Sequence, residues 1–261
     1  MNPRVQPELA DLARDLAETI RALQVRGHAA FGLHRLPPPP APALPPTTAP
    51  PPVPAPSPVS APLPRDLGAL AAEAEACRRC GLAATRSRVV FGDGAGTAGL
   101  LLIGEGPGRT EDEQGKPFVG PAGRLLDRIL TAAGLDRGAL YITNVVKCRP
   151  PGNRDPAPEE IVACRPFLDR QLQALAPRLV VAMGRPAAQS LLRTTRPLSA
   201  LRGRVHARGG IPLLVTFHPA YLLRSPGQKA LAWSDWRRVR DLLGLLTAGE
   251  RVRIDGEEVP A

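Results

Sequence analysis

Of the 28 residues from 37 to 64, 15 are proline, and this stretch limits most sharply what the chain can fold into. Proline lacks a backbone N–H and fixes φ, so a run this dense can extend neither a helix nor a sheet ladder. Mostly Ala, Ser and Thr lie between the prolines, too little apolar mass for a core. The segment reads as an extended, polyproline-like linker. Upstream, residues 8–26 read as one amphipathic helix, with Leu9, Leu12, Leu16, Ile20 and Leu23 recurring at three- and four-residue spacing. That helix could pack on its own domain, on another copy or on a protein partner. The linker could dock an SH3-like module, although a plain spacer is the simpler reading.

The folded domain is expected over residues 65–247, after an N-terminal segment (1–36) and the linker (37–64) and before a polar, frayed tail (248–261). Strands are expected at 100–103, 139–146, 178–183 and 211–217, and helices at about 121–133, 158–174, 186–193 and 228–246. Strands apolar on both faces and separated by helices imply an α/β fold in which helices cover both sides of a parallel sheet. A central sheet of four parallel strands is expected.

The formal net charge is +10, from 31 Arg and three Lys against 24 acids, and residues 1–64 hold almost none of the excess. A basic folded unit favours a polyanionic partner, nucleic acid foremost. A coding preference for Arg would give the same charge without such a partner. No apolar run approaches the roughly 20 residues of a membrane span, and the first residues lack the pattern of a secretory signal. The expected compartment is the cytoplasm, at the nucleoid in a bacterial cell, and the expected state is a monomer. The four cysteines, Cys77, Cys80, Cys148 and Cys164, would not persist as disulfides in a reducing cytoplasm. Their C-x2-C and C-x15-C spacing suits a four-thiolate metal site, zinc or an iron–sulfur cluster alike.

Open parallel sheets bind ligands outside the carboxyl ends of their strands. Just past the first expected strand stands GEGPGRTED (104–112). Past the second come Asn144, Lys147 and Cys148, past the third MGRPA (183–187), and past the fourth His218 in FHPAYLLR (217–224). Glycines in the first turn allow a ligand to approach main-chain N–H groups. The string is neither a Walker loop nor a dinucleotide fingerprint.

Taken together, CRRCGLAATR (77–86), VVFGDG (89–94), IGEGPGRTEDEQGKPFVGPAG (103–123), YITNVVKCRPPGNRDP (141–156) and FHPAYLLR (217–224) resemble the family 4 uracil-DNA glycosylases. The strings fall in the family's order and span the whole expected domain. The resemblance implies the three-layer α/β/α uracil-DNA glycosylase fold, release of uracil from DNA, and a 4Fe–4S cluster on Cys77, Cys80, Cys148 and Cys164. It implies that Phe118 stacks on the flipped base, that Asn144 reads its edge, and that His218 donates to O2 as the base leaves. Glu105 and Gly106 would shape the pocket, with Glu105 among the catalytic residues. Glu111 and Asn153 match residues linked to catalysis or water positioning. Leu222, Leu223 and Arg224 match a loop in which a leucine wedges into the base stack while Arg holds phosphate.

Gly106 stands where family 1 enzymes carry an Asp that helps the water, so the resemblance implies reliance on stabilising the leaving base. An inactive relative, serving as a repair or polymerase accessory, is the competing reading. A covalently trapping relative is another. That branch uses a His on an inserted basic loop, and residues 147–156 hold neither insertion nor His, so turnover is expected.

Overall fold

Four apolar runs become parallel strands because helices cover them on both sides. In a computed structural model, residues 67–250, 252–254 and 257–259 are described, all within the second of the chain's two units, Val59–Ala261. The expected helix over 8–26 and the linker over 37–64 lie outside the described residues.

The strands are β1 (Leu100–Gly104), β2 (Tyr141–Asn144), β3 (Leu179–Met183), β4 (Val205–Arg208) and β5 (Ile211–Thr216). The helices are α1 (Leu67–Glu75), α2 (Arg109–Gln114), α3 (Pro121–Ala132), α4 (Pro158–Leu175), α5 (Arg185–Leu192), α6 (Leu198–Leu201), α7 (Pro219–Arg224) and α8 (Lys229–Thr247). Alternate strand residues point to opposite faces. Leu101, Ile103, Val180, Ala182, Leu213 and Val215 therefore join one core with α1, α4 and α5. Leu100, Leu102, Ile142, Val181, Met183 and Leu214 join the other with α3 and α8, around the fully buried Trp236. Each buried leucine in these layers contributes about 1.5–3 kcal/mol. The three-layer α/β/α arrangement matches the expectation.

The sheet order is β2-β1-β3-β5-β4, five strands where four were expected. β4 pairs antiparallel with β5 at the edge, through Gly209 and Gly210 at φ 57° and 82°, the backbone of a tight two-residue hairpin. Only Val205 and His206 of β4 are buried, so an apolar-run criterion passes over it. The tail also differs from expectation. β6 (Val252–Ile254) pairs with β7 (Glu257–Val259), and Val252 and Ile254 are buried in the same core as Trp236. The ordered domain thus extends past residue 247.

From β1 the chain moves outward to β2, then crosses back over β1 to β3. Such a reversal leaves a crevice at the strands' carboxyl ends. Gly104 lies level with Asn144, and Met183 with Thr216, so the loops after four strands meet at one edge.

Candidate active site

These loops wall a cleft of about 920 Å³ that is lined by Glu105, Gly106, Glu111, Phe118, Asn144, Asn153, His218 and Arg224. Eight residues expected from sequence, drawn from the three segments 103–123, 141–156 and 217–224, thus share one cavity.

Asn144 closes β2 and is 1 % exposed. Its Oδ1 is buried without a hydrogen-bond partner, a state that costs about 1–3 kcal/mol and that a ligand N–H would relieve. A Cβ at residue 104 would lie 2.4 Å from this oxygen and 2.6 Å from Phe118 Cζ, so only glycine lets the amide and the ring come together beside β1. Phe118 has φ 54°, a strained conformation for a non-glycine residue. Glu111 holds it there: its Oε1 accepts from the Val119 N–H at 3.0 Å and the Gly120 N–H at 2.8 Å. Glu111 was expected to act in catalysis or on the water. One of its oxygens is committed to the backbone of the Phe118 loop.

His218 caps α7, and its Nδ1 accepts from the Ala220 N–H at 3.1 Å. An amide can only donate, so the neutral ring carries its proton on Nε2. Burial first, and then the charge of Arg224, push its pKa down to about 4, and the ring is neutral at physiological pH. Its centroid lies 5.4 Å from that of Phe118, at an interplanar angle of 33°.

Glu105 opens the turn after β1. Burial first, then the neighbouring Asp155, raise its pKa to about 7, while Arg185 opposes the shift. Arg185 Nη2 pairs with Asp155 Oδ2 at 2.7 Å. Asp155 and Arg185 line the same cleft and were missed as site residues. Both fall inside strings read from the sequence, but two loop charges carry no sign that they face a third. Asn153 stands exposed on the rim, with its Oδ1 accepting from Arg149 Nε at 2.8 Å.

The loop after His218 divides by helical phase. Pro219 and Leu222 face inward and are buried. Leu222 is 1 % exposed and packs with Leu125 and Ala232. Leu223 is 41 % exposed. Arg224 is exposed, and its side chain has no hydrogen bond or ion pair among the described residues.

The four cysteines line a separate small cavity together with Arg86 and Lys147. Cys148 and Cys164 are buried. Arg86 Nη1 donates to Cys148 Sγ at 3.1 Å, and the Lys147 backbone N–H donates to Cys164 Sγ at 3.3 Å. Burial pushes the Cys164 thiol up to about 11 and raises that of Cys148. Lys147 is fully buried, and its Nζ donates to Thr143 Oγ1 at 2.6 Å and to the Asn144 carbonyl at 2.7 Å. Among the described residues, no three His, Cys, Asp or Glu side chains close on a single point as they would around one metal ion.

Comparison with known proteins places this architecture. Residues 91–240 match the family model of the uracil DNA glycosylase superfamily. The type-4 uracil-DNA glycosylase of Archaeoglobus fulgidus is 41 % identical over 188 residues, covering 68 % of this chain and 94 % of the archaeal protein. That of Saccharolobus solfataricus is 38 % identical over 187 residues, covering 68 % and 87 %. That of Thermotoga maritima is 43 % identical over 151 residues, covering 57 % and 79 %. On a family match spanning more than half its length and on these long alignments, the chain belongs to the uracil-DNA glycosylase superfamily, in its type-4 group.

Proposed function

We propose that this cleft takes a uracil extruded from DNA and hydrolyses its bond to deoxyribose, leaving an abasic site for base-excision repair. The observation that carries this reading is the buried, unpartnered Oδ1 of Asn144 beside the Phe118 ring. An acceptor there suits the N3–H of uracil, while the amide's Nδ2 can donate to O4. Cytosine presents an acceptor at N3 and a donor at C4, the reverse pattern, and is rejected.

In the reaction the N1–C1′ bond breaks and its electron pair leaves with the base. Charge develops on O2, toward which the Nε2–H of His218 donates. One such donor in a water-poor site supplies on the order of 3–4 kcal/mol. A neutral ring suits this task, because protonation would oblige Nδ1 to give up the Ala220 N–H. The sugar passes through an oxocarbenium-like state. Water adds to C1′ and loses a proton, for which ionised Glu105 is the acceptor. Glu111 keeps Phe118 in place as the base's stacking face. Leu223 fills the space left in the base stack, and Arg224 holds phosphate. The partner is uracil-containing DNA, met by a monomer in the cytoplasm, and residues 1–64 are left for a protein partner.

The four cysteines would hold a 4Fe–4S cluster. Four thiols around one cavity provide the donor set. Lys147 has no carboxylate partner among the described residues; burial lowers its pKa to about 7, and Cys164 and Cys148 oppose that shift. An anionic centre in the cavity would favour its charged form. When bound, the cluster would tie the α1 segment to residues 147–164 through iron–thiolate bonds.

The test is uracil release from oligonucleotides carrying U:G, U:A, single-stranded U or C, with abasic sites cleaved by alkali. Release from uracil but not from cytosine is expected. An inert protein, or a DNA adduct that survives denaturation, would overturn the reading.

A further inference from the structure

The cleft continues past the base pocket to a wall containing Phe217, Tyr221 and Arg202. The rings of Phe217 and Tyr221 are stacked, with centroids 5.3 Å apart and an interplanar angle of 19°. The Phe217 ring of the stack is buttressed by Arg202. Arg202 Cζ lies 4.7 Å from the Phe217 centroid, and Arg202 Nη1 donates to both carboxylate oxygens of Asp235, at 2.7 and 2.8 Å. Asp235 is buried and accepts from Thr216 Oγ1 at 2.8 Å. The Arg202 charge is therefore neutralised, so this guanidinium serves to fix the ring and not to bind phosphate. Tyr221 remains 37 % exposed, an aromatic face presented to solvent in a chain with only two tyrosines.

Tyr221 sits one helical turn from His218, and its N–H donates to the His218 carbonyl at 2.9 Å. The ring is thus coupled by backbone to the residue that meets uracil O2. Beyond it on the same short helix stands Arg224, a cation with no partner among the described residues.

We propose that the Phe217–Tyr221 stack is a second base subsite, and that Tyr221 receives the nucleobase next to uracil on the same strand. The proposal rests on the uracil-glycosylase reading of the main pocket. Every base has a π-face, so the subsite accepts any neighbour without reading its identity. Arg224 suits a phosphate of the same strand.

The experiment measures kcat/KM for uracil release by the full chain from single-stranded oligonucleotides. The base on the 5′ or the 3′ side of uracil is either present or replaced by a base-free tetrahydrofuran unit. One of the two replacements is expected to lower the wild-type value about tenfold. Tyr221→Leu is expected to show that loss with the neighbouring base present and no further loss without it. Tyr221→Phe, which keeps the ring, is expected to behave as wild type. If neither replacement affects the wild type, or if Tyr221→Leu is impaired equally with and without the neighbouring base, the subsite does not exist. Absence of uracil release from every oligonucleotide would instead bring down the reading of the main pocket, and the subsite with it.

Discussion

In the proposed reaction Asn144 and His218 act through side-chain polar atoms alone, so substitutions there separate chemistry from folding. His218→Ala removes the donor to O2 and is expected to lower the rate of uracil release by about 10²–10³, read in single-turnover assays. Asn144→Ala removes an acceptor that is buried and unpartnered in the free protein. It should abolish discrimination between uracil and cytosine while leaving the melting temperature unchanged or raised. The pH profile tests Glu105. Its carboxyl holds a proton up to about 7, so if the ionised form accepts the water's proton, kcat/KM falls as pH drops through 7. Asp155→Asn removes a repelling charge and should shift this limb toward acid. Arg185→Ala removes an attracting one and should shift it toward base, and Glu105→Gln should erase it. Stability runs the other way. The folded-state pKa lies above the ordinary carboxyl value of 4.5, so the folded protein binds more protons than the unfolded chain between these values. Acidification across that window therefore stabilises the fold while activity declines. Which residues gather at the site was legible in the sequence, because each follows a strand end. What each side chain touches was not. Leu222 turns inward by helical phase, one Glu111 oxygen is taken by two backbone N–H groups, and Asp155 meets Glu105 only through loop packing.

At the level of elements, the Phe118 loop depends on a clamp that belongs to another segment. Glu111→Ala removes the acceptor for the Val119 and Gly120 N–H groups and leaves Phe118 to relax from φ 54°. Uracil release should weaken chiefly through a higher KM. Glu111→Gln keeps an oxygen in the same place and should restore most of the loss. A general acid or base would be as impaired by Gln as by Ala, so this pair of variants, measured by steady-state kinetics, distinguishes clamp from catalyst. The core elements were readable because their apolar periodicity is strong: α3, α4, α5 and α8 begin and end within one residue of expectation. The elements missed are those whose burial is one-sided or brief. β4 buries two of four residues at a sheet edge, and β6 is a three-residue strand that reaches the core through Val252 and Ile254. The Gly209–Gly210 pair between β4 and β5 was a legible turn signal, since two consecutive residues at positive φ favour glycine.

The molecule as a whole is a strongly basic folded unit preceded by 64 residues that hold almost none of the net charge. Two consequences can be separated. The first concerns the cysteine cavity, whose donors lie on distant parts of the chain at residues 77–80 and 148–164. If a cluster bridges them, Cys80→Ser should lower the melting temperature and the bound iron together, with uracil chemistry lost only as the fold loosens. The second concerns DNA. Phosphate neutralisation releases counterions, so log K falls linearly with log salt, with a slope of about −0.7 per phosphate on single strands. The charge that drives this lies in residues 65–261, so a variant lacking residues 1–64 should bind a uracil-free oligonucleotide with an unchanged slope. Arg224 is a cleft-lining guanidinium without a partner among the described residues, whereas Arg154 and Arg185, which line the same cleft, are paired with Glu160 and Asp155. Arg224→Ala should therefore flatten the slope by about 0.7, one phosphate's worth, whereas Arg185→Ala should leave it nearly unchanged. Equal effects of the two substitutions, measured by fluorescence anisotropy across a salt series, would mean that binding follows overall charge and not the cations left free at the cleft.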